Sequence, residues 1–379
     1  MPLLFRNRLE RKAARIQDPV ERLRYLRRHS RTRPWRLRKL PLVSAGLLLV
    51  CLLIPGFRAL STKPRDPSRV AEIPPVPADS VDIFTNVWLV EQKGETEVYS
   101  NGLRIDDHYA VSNQKRVSYP VYRLGAIDAE QPELRTDPAG IVYHTTESDQ
   151  VDFQADQNTR LKYVGQNVLT YVQKNHSYHF LIDRFGRVYR LVQESDVANH
   201  AGFSIWADRS VLYVNLNASF LGIAFETQTL HQEDLPSANP AQIHAARILT
   251  EMLRAKYHVS EANCVTHAQV SVNPDRMLVG YHTDWAGNFP FRDVGLRDNY
   301  TVPPPSITAF GFNYDPVFVH ATGVRIWEGV ALAEEQLRSD AIARGIPVSR
   351  YRSVLREKYQ QIIETLKAAS DAEEHNHGI

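Results

Sequence analysis

The sequence predicts an α/β protein in which a mixed central β-sheet is flanked by helices. It also predicts one transmembrane helix and a small β-rich module before this domain, and a mostly helical region after it. Three observations support the prediction: an apolar segment near the N-terminus, strand-like and helix-like segments that alternate over residues 138–290, and helical periodicity from Arg325 to Leu366. At roughly 150 residues per domain, 379 residues favour two or three units.

The apolar segment spans residues 40–57 and contains no charged side chain. As a helix its 18 residues would extend about 27 Å at roughly 1.5 Å per residue, close to the bilayer core of about 30 Å. Residues 1–40 carry 14 Lys and Arg against 3 acidic residues, and such clusters stay cytoplasmic. We therefore predict a basic cytoplasmic leader at 1–39 and a single-pass helix in a bacterial inner membrane, with the rest of the chain on the periplasmic side.

Other interpretations of the N-terminus fit less well. A cleaved signal peptide would need an unusually long charged leader, and no small-x-small site follows the apolar segment. The Arg-rich flank argues against a buried core helix. The leader's charge is explained by helix orientation and anionic lipid headgroups, so no nucleic-acid partner is predicted. The only two cysteines, Cys51 and Cys264, exclude a disulfide framework but do not exclude export.

The region after the apolar segment begins with a proline-rich linker at 61–80, which contains five prolines. Residues 81–137 are predicted to be a β-rich module, because Val87–Val90 and Glu97–Tyr99 are strand-like and Asn101-Gly102 favours a hairpin turn. Such a module could bind the cell wall or pack against the next domain. It contains no recognisable catalytic motif.

Residues 138–290 carry the clearest α/β pattern. Helical spacing of apolar residues begins at Leu161, and Asn239-Pro240 is a typical helix start. The predicted strands are Gly140–His144, Tyr178–Ile182, Arg187–Val192 and Leu221–Phe225. Residues 291–370 form the predicted C-terminal extension, which breaks at Gly345–Pro347, and residues 371–379 are expected to be a disordered tail.

Six of the fourteen histidines fall in this α/β segment at positions that a hydrolytic zinc site would use. They are His144, His176, His179, His200, His267 and His282. A catalytic zinc needs three protein ligands and one open position for water. Spacing alone does not select the three ligands, since the chain has no HExxH pair.

Seven short segments of this region, in order, resemble the type 2 family of N-acetylmuramoyl-L-alanine amidases. This family includes phage lysozyme-type zinc amidases and is related to the peptidoglycan recognition proteins. The resemblance covers about 150 of the 379 residues. The matching segments are Ile141–Thr146, Ser177–Asp183, Phe185–Tyr189, Asn199–Gly202, Leu221–Phe225, Thr266–Ser271 and His282–Asp284.

The resemblance implies that His144, His267 and Asp284 bind Zn²⁺. Zinc lowers the pKa of bound water towards about 7 and so prepares it to attack an amide carbonyl. The family cuts the bond between the lactyl group of N-acetylmuramic acid and L-alanine. A peptidoglycan or muropeptide substrate is therefore implied.

Two further residues are implied to take part in catalysis. Tyr178 matches a tyrosine of the phage-type members and could donate a hydrogen bond to the oxyanion. His282 stands where many members carry a lysine, and its cation could stabilise negative charge. Alternatively, Tyr178 is a half-buried strand aromatic and His282 only supports Asp284.

The sequence departs from part of the family at one strand position. Some members carry a catalytic glutamate where this chain has Ala224, and Glu226 lies two residues further on. Glu226 could replace that acid or lie at the rim of the cleft. His179 and His200 match family histidines that line the cleft. These two histidines and Glu226 are therefore expected to contact the substrate. Structural roles are comparably plausible for the two histidines.

Three functions are therefore weighed. The first is a zinc-dependent amidase, and the second is a recognition module that binds muropeptide without cutting it. The third is a scaffold whose C-terminal helices bind an envelope protein, although the sequence identifies no particular protein partner. All three zinc-ligand positions implied by the resemblance are filled, which favours the enzyme. The absence of the family glutamate, at Ala224, keeps the recognition module as an alternative. Asn217-Ala-Ser219 matches a glycosylation sequon by pattern only.

Overall fold

An eight-stranded mixed β-sheet is the centre of the fold, with strands in the order β1-β2-β3-β8-β7-β11-β6-β12. A four-stranded sheet, β5-β4-β10-β9, and a three-stranded sheet, β13-β14-β15, accompany it. The strands are β1 Leu89–Lys93, β2 Thr96–Tyr99, β3 Arg104–Asp106, β4 Tyr119–Arg123, β5 Glu133–Arg135, β6 Gly140–Thr145, β7 Phe180–Ile182, β8 Val188–Arg190, β9 Ile205–Ala207, β10 Val211–Val214, β11 Phe220–Phe225, β12 Cys264–Thr266, β13 Val272–Asn273, β14 Leu278–Val279 and β15 Asn313–Tyr314.

The computed structural model describes residues 82–124, 131–208, 210–229, 238–314 and 325–377. The predicted leader at 1–39, the predicted transmembrane helix at 40–57 and the linker at 61–80 lie outside these ranges. Within these ranges, no helix is both long enough and apolar enough to cross a membrane.

Seven α-helices and two short 3-10 helices are present in the described ranges. The α-helices are α1 Asn158–Lys174, α2 Leu216–Ser219, α3 Pro240–Tyr257, α4 His267–Val270, α5 Pro305–Thr308, α6 Arg325–Ala343 and α7 Val348–His377, and the 3-10 helices are Ala155–Gln157 and Glu261–Asn263. The predicted start of α3 is confirmed. The Asn239 side chain accepts from the backbone of Gln242, whose side chain accepts from the Asn239 backbone, so a capping box closes the first turn.

The central sheet is covered on both faces. Along β7 and β11 successive side chains alternate, so Phe180 and Ile223 pack in the cluster with Leu249 of α3, whereas Leu181 and Ala224 pack in the cluster with α1. The inner strands β6 and β11 and the edge strand β12 are buried at every residue. The prediction of a mixed central sheet flanked by helices is therefore confirmed.

The first part of the predicted β-rich module, β1 to β3, contributes to this same sheet, whereas β4 and β5 lie in the four-stranded sheet. Ile105 of β3 pairs in parallel with Val188 of β8, and β2 and β1 extend the sheet beyond it. Tyr99, Leu103 and Ile105 are buried in the main hydrophobic core. The first three strands thus pack as an edge of the central sheet.

A buried ion cluster reinforces this edge. The guanidinium of Arg190 on β8 bonds Glu194 through Nε at 2.8 Å, Glu97 of β2 through Nη2 at 2.9 Å, and Asp107 after β3. The Arg190 side chain is only 4 % exposed. Charges that are buried in this way must remain paired, because removing one partner leaves an uncompensated charge.

From Arg325 onwards the C-terminal extension is helical, as predicted, with a break between α6 and α7 at Gly345–Pro347. The expectation of a disordered tail from residue 371 is wrong for most of that segment, since α7 continues to His377. Ala and Glu dominate residues 368–374 and are good helix formers. No glycine or proline occurs between Val348 and Gly378.

Candidate metal centre

Three polar side chains meet at the carboxyl end of the central sheet. His144 lies near the end of β6, and His267 begins α4 directly after β12, which pairs in parallel with β6. A capping box between Thr266 and Gln269 fixes the start of α4. Asp284 lies in the loop after β14, where its carbonyl oxygen accepts a hydrogen bond from the Ala268 amide at 3.2 Å.

The geometry of this group is that of a metal site. Asp284 Oδ2 lies 3.1 Å from His144 Nδ1 and 3.1 Å from His267 Nδ1. One ligand atom from each of the three residues lies within 4.8 Å of the others, and all three residues are buried. With ligand bonds of about 2.0–2.1 Å, neighbouring ligand atoms of a tetrahedral zinc are roughly 3.3 Å apart. The observed spacing therefore suits a small divalent cation.

The charges of the group also suit such an ion. Burial, together with the neighbouring His267, lowers the pKa of His144 to about 4. Burial alone would raise the pKa of the Asp284 carboxyl, but His267 and His144 hold it well below its usual value. The site thus contains a neutral imidazole at His144 and a carboxylate at Asp284, which are the ligand forms that zinc binds.

Tyr178 lies beside this group. Its ring centroid is 4.9 Å from that of His144, and its backbone has a positive φ of 62°. Positive φ is uncommon for a bulky residue and is tolerated where the surrounding structure imposes it. Burial and the Asp284 carboxylate raise the pKa of the Tyr178 phenol, so the hydroxyl keeps its proton.

His282 lies on the other side of His267. The two rings stack with centroids 4.4 Å apart and planes inclined by 19°. The His282 backbone amide donates to Ser271 Oγ at 2.8 Å. The His282 residue is half-buried.

The three residues that were expected to contact substrate are buried instead. His179 is 0 % exposed, and its Nδ1 accepts from the Gly222 amide while its Nε2 lies 3.1 Å from the Asp196 carbonyl oxygen. His200 is 9 % exposed and contacts His144. This placement differs from a cleft-lining position, because both imidazoles are enclosed between the strands and loops on this face of the sheet.

Glu226 follows the same pattern. Its carboxylate is 1 % exposed and pairs with Arg184, whose Nε lies 2.9 Å from Oε1. Arg184 also donates to the carbonyl oxygens of Asp149 and Val151. Glu226 therefore holds the loop before α1 in place and does not replace the family acid, whose position is taken by the buried Ala224.

Comparison with known proteins bears on the same residues. Residues 134–284 match the family model described as N-acetylmuramoyl-L-alanine amidase, and this range contains all three members of the metal group. This segment is similar to the N-acetylmuramoyl-L-alanine amidase family. The matched range ends at Asp284 and begins ahead of β6.

One curated relative is N-acetylmuramoyl-L-alanine amidase AmiD of Escherichia coli strain K12. It is 29 % identical over 116 residues, which are 28 % of this chain and 41 % of the relative. The chain thus spans about two fifths of the curated relative that it matches.

Two solved structures are also similar. One is AmiD from E. coli in complex with the substrate anhydro-N-acetylmuramic acid-L-Ala-D-gamma-Glu-L-Lys. It is 23 % identical, the match covers 54 % of this chain and 65 % of the AmiD chain, and the TM-score is 0.31. The amidase LysC from Clostridium intestinale URNW is 22 % identical, covers 49 % and 93 % of the two chains, and gives a TM-score of 0.26.

Sequence reasoning missed one residue of structural importance near the site. Asn217, noted only as part of a sequon, accepts backbone hydrogen bonds through its Oδ1 from His200, Ala201 and Gly202, at 3.0, 2.7 and 2.8 Å. It thereby fixes the loop that carries His200. No local sequence signal identifies such a contact across fifteen or more residues.

Proposed function

We propose that this protein is a zinc-dependent amidase that hydrolyses the bond between N-acetylmuramic acid and L-alanine in peptidoglycan or its fragments. The observation that carries the proposal is the convergence of His144, His267 and Asp284 inside the segment that matches the amidase family. The donor set of two imidazole nitrogens and one carboxylate is typical of a hydrolytic zinc site with an open position.

The proposed ligands are Nδ1 of His144, Nδ1 of His267 and a carboxylate oxygen of Asp284. When bound, zinc supplies a Lewis acid that lowers the pKa of water and polarises a carbonyl group. The net reaction breaks the amide C–N bond. Water provides the hydroxyl that joins the lactyl carbon and the proton that joins the alanine nitrogen.

The protein's own groups are assigned to the developing negative charge. Tyr178, whose hydroxyl keeps its proton, donates a hydrogen bond to the carbonyl oxygen as that oxygen gains charge. His282, which is half-buried and stacked on His267, provides a second polar group. Ala224 leaves no carboxylate on β11, so the chemistry depends on these groups and the metal site.

A direct test uses the purified chain and a muropeptide that carries one lactyl–alanine amide. We expect release of the free stem peptide, loss of that release with a chelator, and its return with added Zn²⁺. Mass analysis identifies the broken bond. Binding of muropeptide without any cleavage, at full zinc occupancy, would instead support a recognition module.

We further propose that residues 40–57 anchor the protein in the inner membrane with the amidase domain on the periplasmic side. Support comes from the length of the uncharged segment and the basic leader before it. We expect the chain to remain with membranes at high salt, and residues 61–379 to be accessible to protease added from the periplasmic side. A soluble mature form starting near residue 60 would disprove the anchor.

A further inference from the structure

Asn299 and Tyr300 lie beyond the segment that matches the amidase family, yet both contact the elements that carry metal-group residues. The match ends at residue 284. Both residues are buried, since Asn299 is 7 % exposed and Tyr300 is 1 % exposed. Buried polar groups are almost always hydrogen-bonded. The partners of these two side chains therefore show which parts of the site they hold.

The hydroxyl of Tyr300 joins the two ends of the loop that follows Asp284. It donates to the carbonyl oxygen of Trp285 at 2.6 Å and accepts from the backbone amide of Phe289 at 2.9 Å. A carbonyl oxygen can only accept and an amide can only donate, so the directions of both bonds are fixed by the backbone. The hydroxyl therefore closes the loop from Trp285 to Phe289 into one unit.

The backbone of Trp285 has a conformation that needs such support. Its φ is +58°, which is rare for a bulky residue and costs free energy unless the surrounding structure imposes it. Trp285 shares a peptide bond with Asp284, so the direction of the Asp284 side chain depends on this conformation. The bond from Tyr300 holds the carbonyl end of Trp285, while the Trp285 ring packs against Phe225 and Phe289.

Asn299 holds the segment that carries His267. Its side-chain amide donates to the carbonyl oxygen of Cys264, the first residue of β12, at 2.9 Å. Its own carbonyl oxygen accepts from Gln269 Nε2 at 2.8 Å. Gln269 is also the residue whose side chain accepts from the Thr266 amide in the capping box of α4. Asn299 thus bonds this segment both before and after His267.

The C-terminal extension packs against the same two residues from the other side. Gly329 of α6 lies so close to this backbone that a Cβ there would be 2.7 Å from the carbonyl oxygen of Val302 and 3.0 Å from that of Tyr300. Only glycine permits such a close approach of a helix to another backbone. Helix α6 therefore supports the position of Tyr300.

We infer that Asn299 and Tyr300 are positioning residues of the metal centre, which fix the carboxylate of Asp284 relative to the imidazole of His267. The inference rests on the proposed metal site but not on amide hydrolysis. Neither residue belongs to the metal group, and each acts through the backbone that carries a ligand. The functional site therefore includes chain beyond the family match.

The test removes one hydroxyl with Tyr300→Phe and leaves the ring in place. The probe is Zn²⁺ alone, titrated into the full chain against a competing chelator. We expect the variant to bind zinc about tenfold more weakly than the parent, at the lower end of the range of about 10–100-fold that is typical of groups supporting metal ligands.

The matched control is Tyr119→Phe. Tyr119 is 2 % exposed, and its hydroxyl also donates to a backbone carbonyl oxygen at 2.6 Å, that of Asp137. Asp137 precedes β6, whereas His144 lies near the other end of that strand. Both variants should therefore lose similar thermal stability, but the control should keep parental zinc affinity. Parental zinc affinity in Tyr300→Phe, or equal losses of zinc affinity in the two variants, would overturn the inference.

A second measurement is independent of variant folding. In the metal-free parent, hydrogen–deuterium exchange at the Phe289 amide should be slow, because the Tyr300 hydroxyl accepts from it. Exchange there at the rate of an exposed amide would refute the inference even if the parent binds zinc and hydrolyses muropeptide. Conversely, a parent that binds zinc without amidase activity, together with weaker zinc binding by Tyr300→Phe, would leave the inference standing while the proposed function fails.

Discussion

Replacing His267 with Ala is expected to abolish zinc binding and amide hydrolysis while the fold is retained. His267 provides one of three proposed ligand atoms and lies on α4, held by backbone bonds and the Thr266–Gln269 capping box, none of which involves its imidazole. The loss in zinc affinity should exceed the 10–100-fold typical of a residue that only orients a ligand. Zinc titration against a competing chelator measures the loss of binding, and circular dichroism shows whether the fold is retained.

The matched control is His244→Ala, because His244 is an exposed histidine on α3. That variant should bind zinc and hydrolyse muropeptide like the parent. If the His267 variant kept tight, stoichiometric zinc binding, the ligand assignment would be incorrect and the proposed function would lose its main support.

Replacing Tyr178 with Phe is expected to reduce the turnover rate about 10²–10³-fold, which is the usual effect of removing one donor to an oxyanion. The substitution deletes only the hydroxyl, so the ring remains packed 4.9 Å from His144. Zinc affinity should be unchanged, since the phenol is not one of the three ligands. Steady-state hydrolysis and zinc competition on the same preparation measure both quantities.

Tyr171→Phe is the control, as Tyr171 is 68 % exposed on α1 and is not part of the metal group. We expect this variant to match the parent in rate. A Tyr178→Phe enzyme with parental turnover would show that the tyrosine only packs, and His282 would become the principal candidate for stabilising the oxyanion.

Much of the fold around the site could be predicted from local sequence. The buried strands β6 and β11 are continuous apolar segments, and α3 has a capping residue and a proline at its start. These signals are local because hydrophobic periodicity and capping depend on neighbours within a few residues. The three metal-group residues followed from the family resemblance, since spacing alone did not select them.

Other features depend on contacts between distant residues. The pairing of β3 with β8 joins segments about eighty residues apart, and nothing in either strand specifies its partner. β9 and β10 were not predicted, because their short apolar segments carry little periodicity. The burial of Glu226 likewise requires Arg184, a pairing that only the folded chain brings about.

The shared sheet has a practical consequence for dividing this protein into fragments. A fragment that begins where the family match begins, at residue 134, would lack β1, β2 and β3. It would leave the edge of β8 unpaired and expose the Arg190 and Glu194 side chains without Glu97 and Asp107. Open strand edges promote association between molecules. The shortest soluble, enzymatically informative fragment should therefore start near Asp82 and not at the family boundary.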